Sequence, residues 1–324
     1  MTEMSFAEAI RYTLRMEMRA DPSVFLIGLD IGGLGGIFKT TAGLLEEFGD
    51  ERVMDAPLSE SAIVGAAVGA AMMGLRPVVE LLFADFFTIA MDQVVNHAAK
   101  IHYLSGGHFS VPLVIRAAFG YGAGAHHSQS AEPWLLNVPG LKIVIPSTPA
   151  DACGLLMSSI RDNGPVIFLE HRKLYAMRGL VPIDDVTPIP IGTADIKRSG
   201  SDLTLIGTGA MVHRALAAAE RVKQEDNIDV EVIDLRTVRP LDKKLILDSV
   251  TKTSRLMIVE ETTGVGGVGS EVAAVAAQEA LGYLDAPIRR ISAPDTPIPV
   301  SNILLDHYVP SEERIVQAAR EICL

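Results

Sequence analysis

Two cysteines in 324 residues, Cys153 and Cys323, are too few for a disulfide framework, and their spacing fits no metal site. Neither reads as a nucleophile, and this thiol content is that of a reducing cytoplasm. Basic charge is also short: 28 Lys and Arg against 40 Asp and Glu give a net charge of -12, with no basic face for a phosphate backbone. Nucleic acid is therefore excluded as a principal partner. No apolar run reaches the length of a membrane span. The N-terminal stretch mixes acids and bases, without the apolar core and cleavage site of a signal peptide. There is no Gly-x-Ser-x-Gly elbow, so an α/β-hydrolase is disfavoured, and no short-period repeat.

What is present is apolar and small. Apolar residues make up 48% of the chain, and mean hydropathy is +0.29. The chain is long enough for two globular cores, with surface to spare for partner chains, so an oligomer is expected. Short buried strands alternate with helical patterns: strands at 24–28, 77–83, 111–116, 141–146 and 166–170, helices at 5–19, 41–48, 60–73, 85–99 and 149–162. Such alternation predicts an α/β fold, a mostly parallel sheet covered by helices on both faces. Val181 to Gly192 carries three prolines in twelve residues, the composition of an extended connector. The alternation then restarts, giving two doubly wound α/β domains at 1–178 and 194–324 with a linker at 179–193.

The stretch Met54 to Gly74, MDAPLSESAIVGAAVGAAMMG, places one acid, Glu60, at the mouth of an otherwise apolar helix. An acid in that company is suited to sharing a proton. It is equally an ordinary helix-end acid, with Asp55 or Ser59 as the N-cap. The glycine-dense loop GLDIGGLGG at 28–36 lets backbone approach a ligand or a neighbouring chain, but lacks the Lys-Ser/Thr of a phosphate loop. His126 and His127 are adjacent in the glycine-rich loop after the third strand, without zinc spacing, where α/β folds commonly place site residues. Gly264-Val-Gly-Gly-Val-Gly269 matches the dinucleotide fingerprint, yet the acid expected about twenty residues on is replaced by Arg289-Arg290. Tight helix-sheet packing is the better reading of those glycines.

Taken in order, PLSE (57–60), FADF (83–86), MDQVVNHAAK (91–100), HSQS (127–130), PGLKIVIPST (139–148) and IRDNGPVIFLEH (160–171), with LRTVRPLD and VEE further on, resemble the beta subunit of thiamine-diphosphate-dependent 2-oxo acid and acetoin dehydrogenases. The resemblance covers nearly the whole chain. It implies a pyrimidine-binding domain followed by a transketolase C-terminal-type domain, and an alpha subunit in an α2β2 heterotetramer that holds the diphosphate and magnesium. It implies further that Glu60 hydrogen-bonds the aminopyrimidine nitrogen of the cofactor, that Leu58 and Phe86 flank the pyrimidine, and that Asp92 belongs to a polar channel between paired sites. His127, supported by His126, would assist transfer to a lipoyl-bearing acyltransferase. Leu113, Ser159, Ile160, Asp162 and Gly164 would form a carbonyl site for potassium.

Two departures from the family pattern stand out. Leu29 replaces an expected carboxylate, and the loop from Arg116 to His127 is about two residues short. They motivate a second reading, a two-subunit carboligase or transketolase-like enzyme that does not use lipoamide. A third, from another class, is a non-catalytic subunit that only stabilises its partner. The small-molecule substrate, a pyruvate-like 2-oxo acid or acetoin, is set partly by the alpha subunit.

Overall fold

The computed structural model describes residues 1–183 and 186–323; Asp184 and Asp185, in the middle of the proline-rich connector, lie outside the described residues. The chain divides into two compact units, residues 1–119 with 137–191, and residues 120–136 with 192–324. The histidine loop is therefore compact with the second unit, although it follows a strand of the first.

The first unit runs β1 (Thr2–Ser5), α1 (Phe6–Ala20), β2 (Val24–Gly28), α2 (Leu44–Phe48), β3 (Val53–Asp55), α3 (Glu60–Met72), β4 (Arg76–Phe83), α4 (Phe87–Asp92), α5 (Ile101–Leu104) and β5 (Val114–Phe119). The one-turn helix α6 (Glu132–Leu135) belongs to the second unit; β6 (Lys142–Val144), α7 (Pro149–Arg161), β7 (Val166–His171) and β8 (Arg178–Val181) complete the first. Six of its strands lie parallel in the order β6-β7-β5-β4-β2-β3. Strands β2, β5 and β7 are buried along their whole length, as expected when helices cover both faces. A second, two-stranded sheet pairs β1 antiparallel with β8, Thr2 opposite Val181; neither strand carries a sequence signal strong enough to be expected.

Local chemistry fixes the helix ends. Ser5 Oγ accepts the Glu8 N–H at 3.1 Å and the Glu8 carboxylate accepts the Ser5 N–H at 2.7 Å, a reciprocal capping box that starts α1. Phe6, Ile10, Leu14 and Met18 then recur at helical spacing on its buried face. Thr148 caps α7, with Pro149 at the first helical position. The helix expected at 85–99 is composite: a 3-10 turn at Ala84–Phe86, α4, and a π-helical turn at Gln93–Ala98. The third strand starts at Val114 rather than Val111, as suits Pro112, which has no N–H to give to a ladder.

The second unit is built on a five-stranded sheet, order β14-β13-β10-β11-β9, all parallel except the edge strand β9. Its elements are β9 (Asp195–Arg198), β10 (Leu203–Gly207), α8 (Ala210–Asp226), β11 (Val230–Asp234), β12 (Thr237–Arg239), α9 (Lys243–Thr253), β13 (Leu256–Thr263), α10 (Val268–Glu279), β14 (Arg289–Ala293), α11 (Asn302–Tyr308) and α12 (Glu312–Cys323). Among the described residues, no helix is long and apolar enough to cross a membrane.

Candidate functional site

Helix α3 begins at Glu60. Ser59 occupies the N-cap position, but its side chain makes no capping bond. Asp55, the other cap candidate, instead accepts the Gly32 N–H at 2.7 Å and the Gly33 N–H at 3.4 Å, pinning the glycine loop. Glu60 itself is 8% exposed, and no donor among the described residues reaches its carboxyl. The residue is mostly buried, yet neither carboxyl oxygen is among the fully buried unpaired atoms, so the carboxyl opens to the surface where a partner group can reach it.

Glu60 and Phe86 are brought to the same end of two packed helices. Ser61 Oγ donates to the Ile89 carbonyl at 2.6 Å, and Gly65 lies against Gln93, so the starts of α3 and α4 lie together. Phe86 closes the 3-10 turn, half-buried, with its ring edge-on to Phe83 at 6.0 Å between centroids. Phe83 is edge-on to Phe38, and Phe38 stacks on Tyr175 at 4.4 Å. Leu58 is exposed on the rim before α3. Asp92 ends α4 with its side chain 61% exposed, accepting from Asn96 Nδ2 at 2.7 Å and lying 3.5 Å from His97 Nε2.

Beneath this rim lies a charged cluster that sequence reasoning did not single out. Arg116, 2% exposed, donates to Glu170 at 2.7 and 3.1 Å and to Glu80 at 2.8 Å. Thr40 Oγ1 donates to Glu80 at 3.1 Å, and the Tyr175 hydroxyl donates to Glu170 at 2.7 Å. Burial pulls the Arg116 guanidinium down, but the Glu170 and Glu80 carboxylates outweigh it and hold the group above its ordinary value. Burial also pushes the Glu170 carboxyl up against the pull of Arg116, and burial with the Glu170 charge keeps the Tyr175 phenol un-ionised. The signal was present as one ionisable residue inside each of three apolar strands: Glu80 in β4, Arg116 in β5, Glu170 in β7.

The histidines lie in the second unit. His126 is exposed and His127 half-buried, its N–H donating to the Gly124 carbonyl at 3.3 Å. Their loop walls a cleft of about 410 Å³, with Gln129, Ser130 and Trp134 on one side and Glu261, Thr263 and Tyr308 among the residues opposite. Close by, Glu132 is 5% exposed and its Oε2 has no hydrogen-bond partner. Burial, with the Glu261 and Glu260 charges, pushes its carboxyl up to about 8, so it holds its proton at neutral pH.

The fingerprint glycines have a packing role. The Glu260 carboxylate accepts the Gly269 N–H at 3.0 Å at the start of α10 and Arg290 donates to it at 2.5 Å. A Cβ on Gly267 or Gly269 would fall 2.3 or 2.7 Å from that carboxylate. The anion at this helix N-terminus is the protein's own, and Arg290, standing where a ribose-binding acid was sought, neutralises it.

Of the five residues expected to offer carbonyls to potassium, two, Ile160 and Asp162, share a single donor. Arg76 Nη1 donates to the carbonyls of Ile160 and Asp162 at 3.0 Å each, the Leu113 carbonyl accepts the Val166 N–H at 2.8 Å, and the Asp162 carboxylate accepts from Lys142 at 2.5 Å and from the Gly164 N–H at 2.7 Å. Ser159 packs in the preceding turn, its hydroxyl donating to Leu155. A protein cation thus already engages two of these carbonyls. Among the described residues, no group of three or more His, Cys, Asp or Glu could hold a metal ion.

Residues 2–178 match the transketolase pyrimidine-binding domain and residues 192–315 the transketolase C-terminal domain. The chain is 48% identical over 328 residues, 99% of each chain, to the 2-oxoisovalerate dehydrogenase subunit beta of Bacillus subtilis (strain 168). It is 44% identical over 333 residues to the acetoin:2,6-dichlorophenolindophenol oxidoreductase subunit beta of the same organism, covering 98% of this chain and 97% of that one. A solved structure, "Split gene transketolase, inactive beta4 tetramer", shares the fold with a TM-score of 0.82 at 21% identity, over 99% of this chain and 98% of that one.

Proposed function

Because the chain belongs to the family that joins a transketolase-type pyrimidine-binding domain to a transketolase C-terminal domain, that of the 2-oxo acid and acetoin dehydrogenase beta subunits, we propose that it is the beta component of a thiamine-diphosphate-dependent enzyme cleaving the carbon-carbon bond next to a carbonyl. The observation that carries this reading is Glu60, buried at the start of α3 with a carboxyl that no donor of the chain engages. That is the geometry needed to hold a proton at a cofactor ring nitrogen in a site of low polarity. When bound, thiamine diphosphate supplies the carbon nucleophile. Glu60 positions the proton that makes the ring system a base, and Phe86, steadied by Phe83, offers a face for the pyrimidine with Leu58 at the rim. His127, with His126 beside it, serves the transfer step, and Asp92 contributes an acid on the surface that faces a second site.

The relatives' names span 2-oxoisovalerate and acetoin at 48% and 44% identity, so overall likeness does not single out one substrate. An alpha subunit is the natural partner. In the first unit Met73 is 82% and Tyr103 85% exposed, with Leu58, Ile89 and Leu104 exposed as well, apolar surface that suits a partner chain. Along α3 the solvent face is Ala62, Ala66 and Gly69, small enough for another helix to approach closely. Diphosphate and magnesium fall to that partner, since in this chain Glu260 takes the α10 N-terminus and Asp55 takes the N–H groups of the glycine loop. An α2β2 heterotetramer and a lipoyl-bearing acyltransferase complete the proposed assembly, in the cytoplasm, where the free thiols Cys153 and Cys323 persist. The family modules are assigned to 1–178 and 194–324. Potassium at the Leu113 and 159–164 carbonyls would share its oxygens with Arg76.

The test is co-expression with an alpha subunit, followed by calorimetric titration with thiamine diphosphate and turnover assays on 2-oxo acids and acetoin. Glu60→Gln is expected to lower turnover by about 10²-fold or more while cofactor affinity changes far less. A complex that binds no thiamine diphosphate, or a Glu60→Gln complex with normal turnover, overturns the proposal.

A further inference from the structure

The loop that carries His127 is fixed at both ends by side chains of its own unit. Tyr121 is gripped from two directions. Its N–H donates to Glu261 Oε1 at 2.8 Å, and its hydroxyl accepts from Arg214 Nη2 at 3.0 Å while the guanidinium carbon lies 5.5 Å from the ring centroid. Arg214 is itself pinned, because Nη1 donates to the Pro310 carbonyl. One guanidinium thus ties the loop to α8 and to the segment before α12. A planar fork serves two acceptors and a ring at once, which an ammonium group does not.

Seven residues on, Ser128 is fully buried and its Oγ accepts the Ala123 N–H at 2.9 Å. At the far end Arg239 Nη1 donates to the Leu136 carbonyl at 2.5 Å. Between the first two anchors Gly122 and Gly124 take φ of 110° and 76°, and a Cβ on Gly124 would sit 3.1 Å from Val300. Six residues, Gly122 to His127, therefore lie between the gripped Tyr121 and the buried Ser128, closed on themselves by the Ala123–Ser128 bond, and His127 is the last of them. Glu261 has a second role, since it also lines the cleft that Gln129, Ser130 and Trp134 wall from the loop side.

We propose that Tyr121, Arg214 and Glu261 form a clasp of positioning residues that holds the His127 loop in register with the cleft, and so set the acyl-transfer step rather than cofactor binding. The inference rests on the reading of His127 given above. Without the Glu261 acceptor the Tyr121 N–H loses its partner and the loop regains backbone freedom, and a misplacement of about 1 Å at a reacting group is worth about 10²-fold in rate.

The experiment uses the complex with the alpha subunit and two readouts: hydrogen exchange of residues 120–136, and the ratio of transfer to a lipoyl acceptor against cofactor-dependent turnover with an artificial electron acceptor. Glu261→Ala is expected to speed exchange across 122–128 by about 10-fold or more and to lower lipoyl transfer by about 10–100-fold, with turnover on the artificial acceptor changed by less than about 3-fold. Glu261→Gln, which keeps an oxygen acceptor for the Tyr121 N–H, is expected to restore both. Should Glu261→Ala fail to fold, Tyr121→Phe, which deletes only the hydroxyl, is expected to show a smaller rise of the same sign. Unchanged exchange in these variants overturns the clasp, as does an equal fall of both reactions accompanied by a lower unfolding midpoint. Exchange that rises in Glu261→Ala and recovers in Glu261→Gln, within a wild-type complex that catalyses nothing, supports the clasp and overturns the functional reading alone.

Discussion

Arg116 shows how one residue can decide the fate of a core. Its guanidinium joins two carboxylates in a nearly water-free layer, and removing it leaves Glu80 and Glu170 buried as like charges. Arg116→Met is expected to cost about 3–5 kcal/mol in urea unfolding, whereas Tyr175→Phe, which removes one hydrogen bond to Glu170, costs about 1.5–3 kcal/mol. Glu132 gives a pH signature of its own. Its carboxyl, raised from 4.5 to about 8 first by burial and then by Glu261 and Glu260, binds a proton in the folded chain that the unfolded chain releases. Its contribution to stability is thus complete below pH 4.5 and is lost as pH rises through about 8. Arg290 offsets Glu260 alone, through its hydrogen bond to that carboxylate. Unfolding midpoints of wild type and Glu132→Gln should therefore diverge from pH 5.5 to pH 8.5, wild type losing more; a constant gap would show that Glu132 does not titrate in that window.

At the scale of elements, close approach decides what a position tolerates. Gly140, at φ 99°, precedes β6, and a Cβ there would fall 2.0 Å from the Ala99 carbonyl oxygen. Gly140→Ala is expected to lower the thermal midpoint by several degrees, against almost none for Gly282→Ala, where nothing lies within 4 Å. The regular elements were legible because their signals are local: the alternation, the Ser5 cap and the apolar spacing of α1 fall where the sequence places them. The edge strand β9, the β1–β8 pair and α11 were not, since their pairing partners or packing surfaces lie far away in sequence. Glu60 and His127 stood out by their company or by resemblance. The Arg116 cluster and the Tyr121 clasp did not, for Arg116 lies 36 positions from Glu80 and Tyr121 lies 140 from Glu261, and only the folded register brings them together. The Gly264 to Gly269 match was correctly read as packing, because the missing acid is a physical requirement of the dinucleotide motif.

On the proposed reading the whole chain supplies half of a site, and its exposed apolar surface suits a partner chain. Purified alone it is expected to self-associate through its exposed apolar residues and to show no cofactor-dependent turnover, gaining both solubility and activity with an alpha subunit; light scattering coupled to gel filtration checks the first and the turnover assay the second. Potassium is tested in the same assembly. If the carbonyl cage holds it, the thermal midpoint rises in KCl over choline chloride at equal ionic strength, and Arg76→Met enlarges the difference; equal midpoints in both salts exclude the site. The pairing of β1 with β8 reaches further than the contacts it makes. Thr2 has no strand to lie against until Val181 has been synthesised and has cleared the ribosome, so a segment made well before its partner is among the last of that unit to find its place. At about 5–20 residues per second the nascent segment waits on the order of ten seconds or more, a window in which an open strand is at risk and a chaperone or an early-arriving partner can matter.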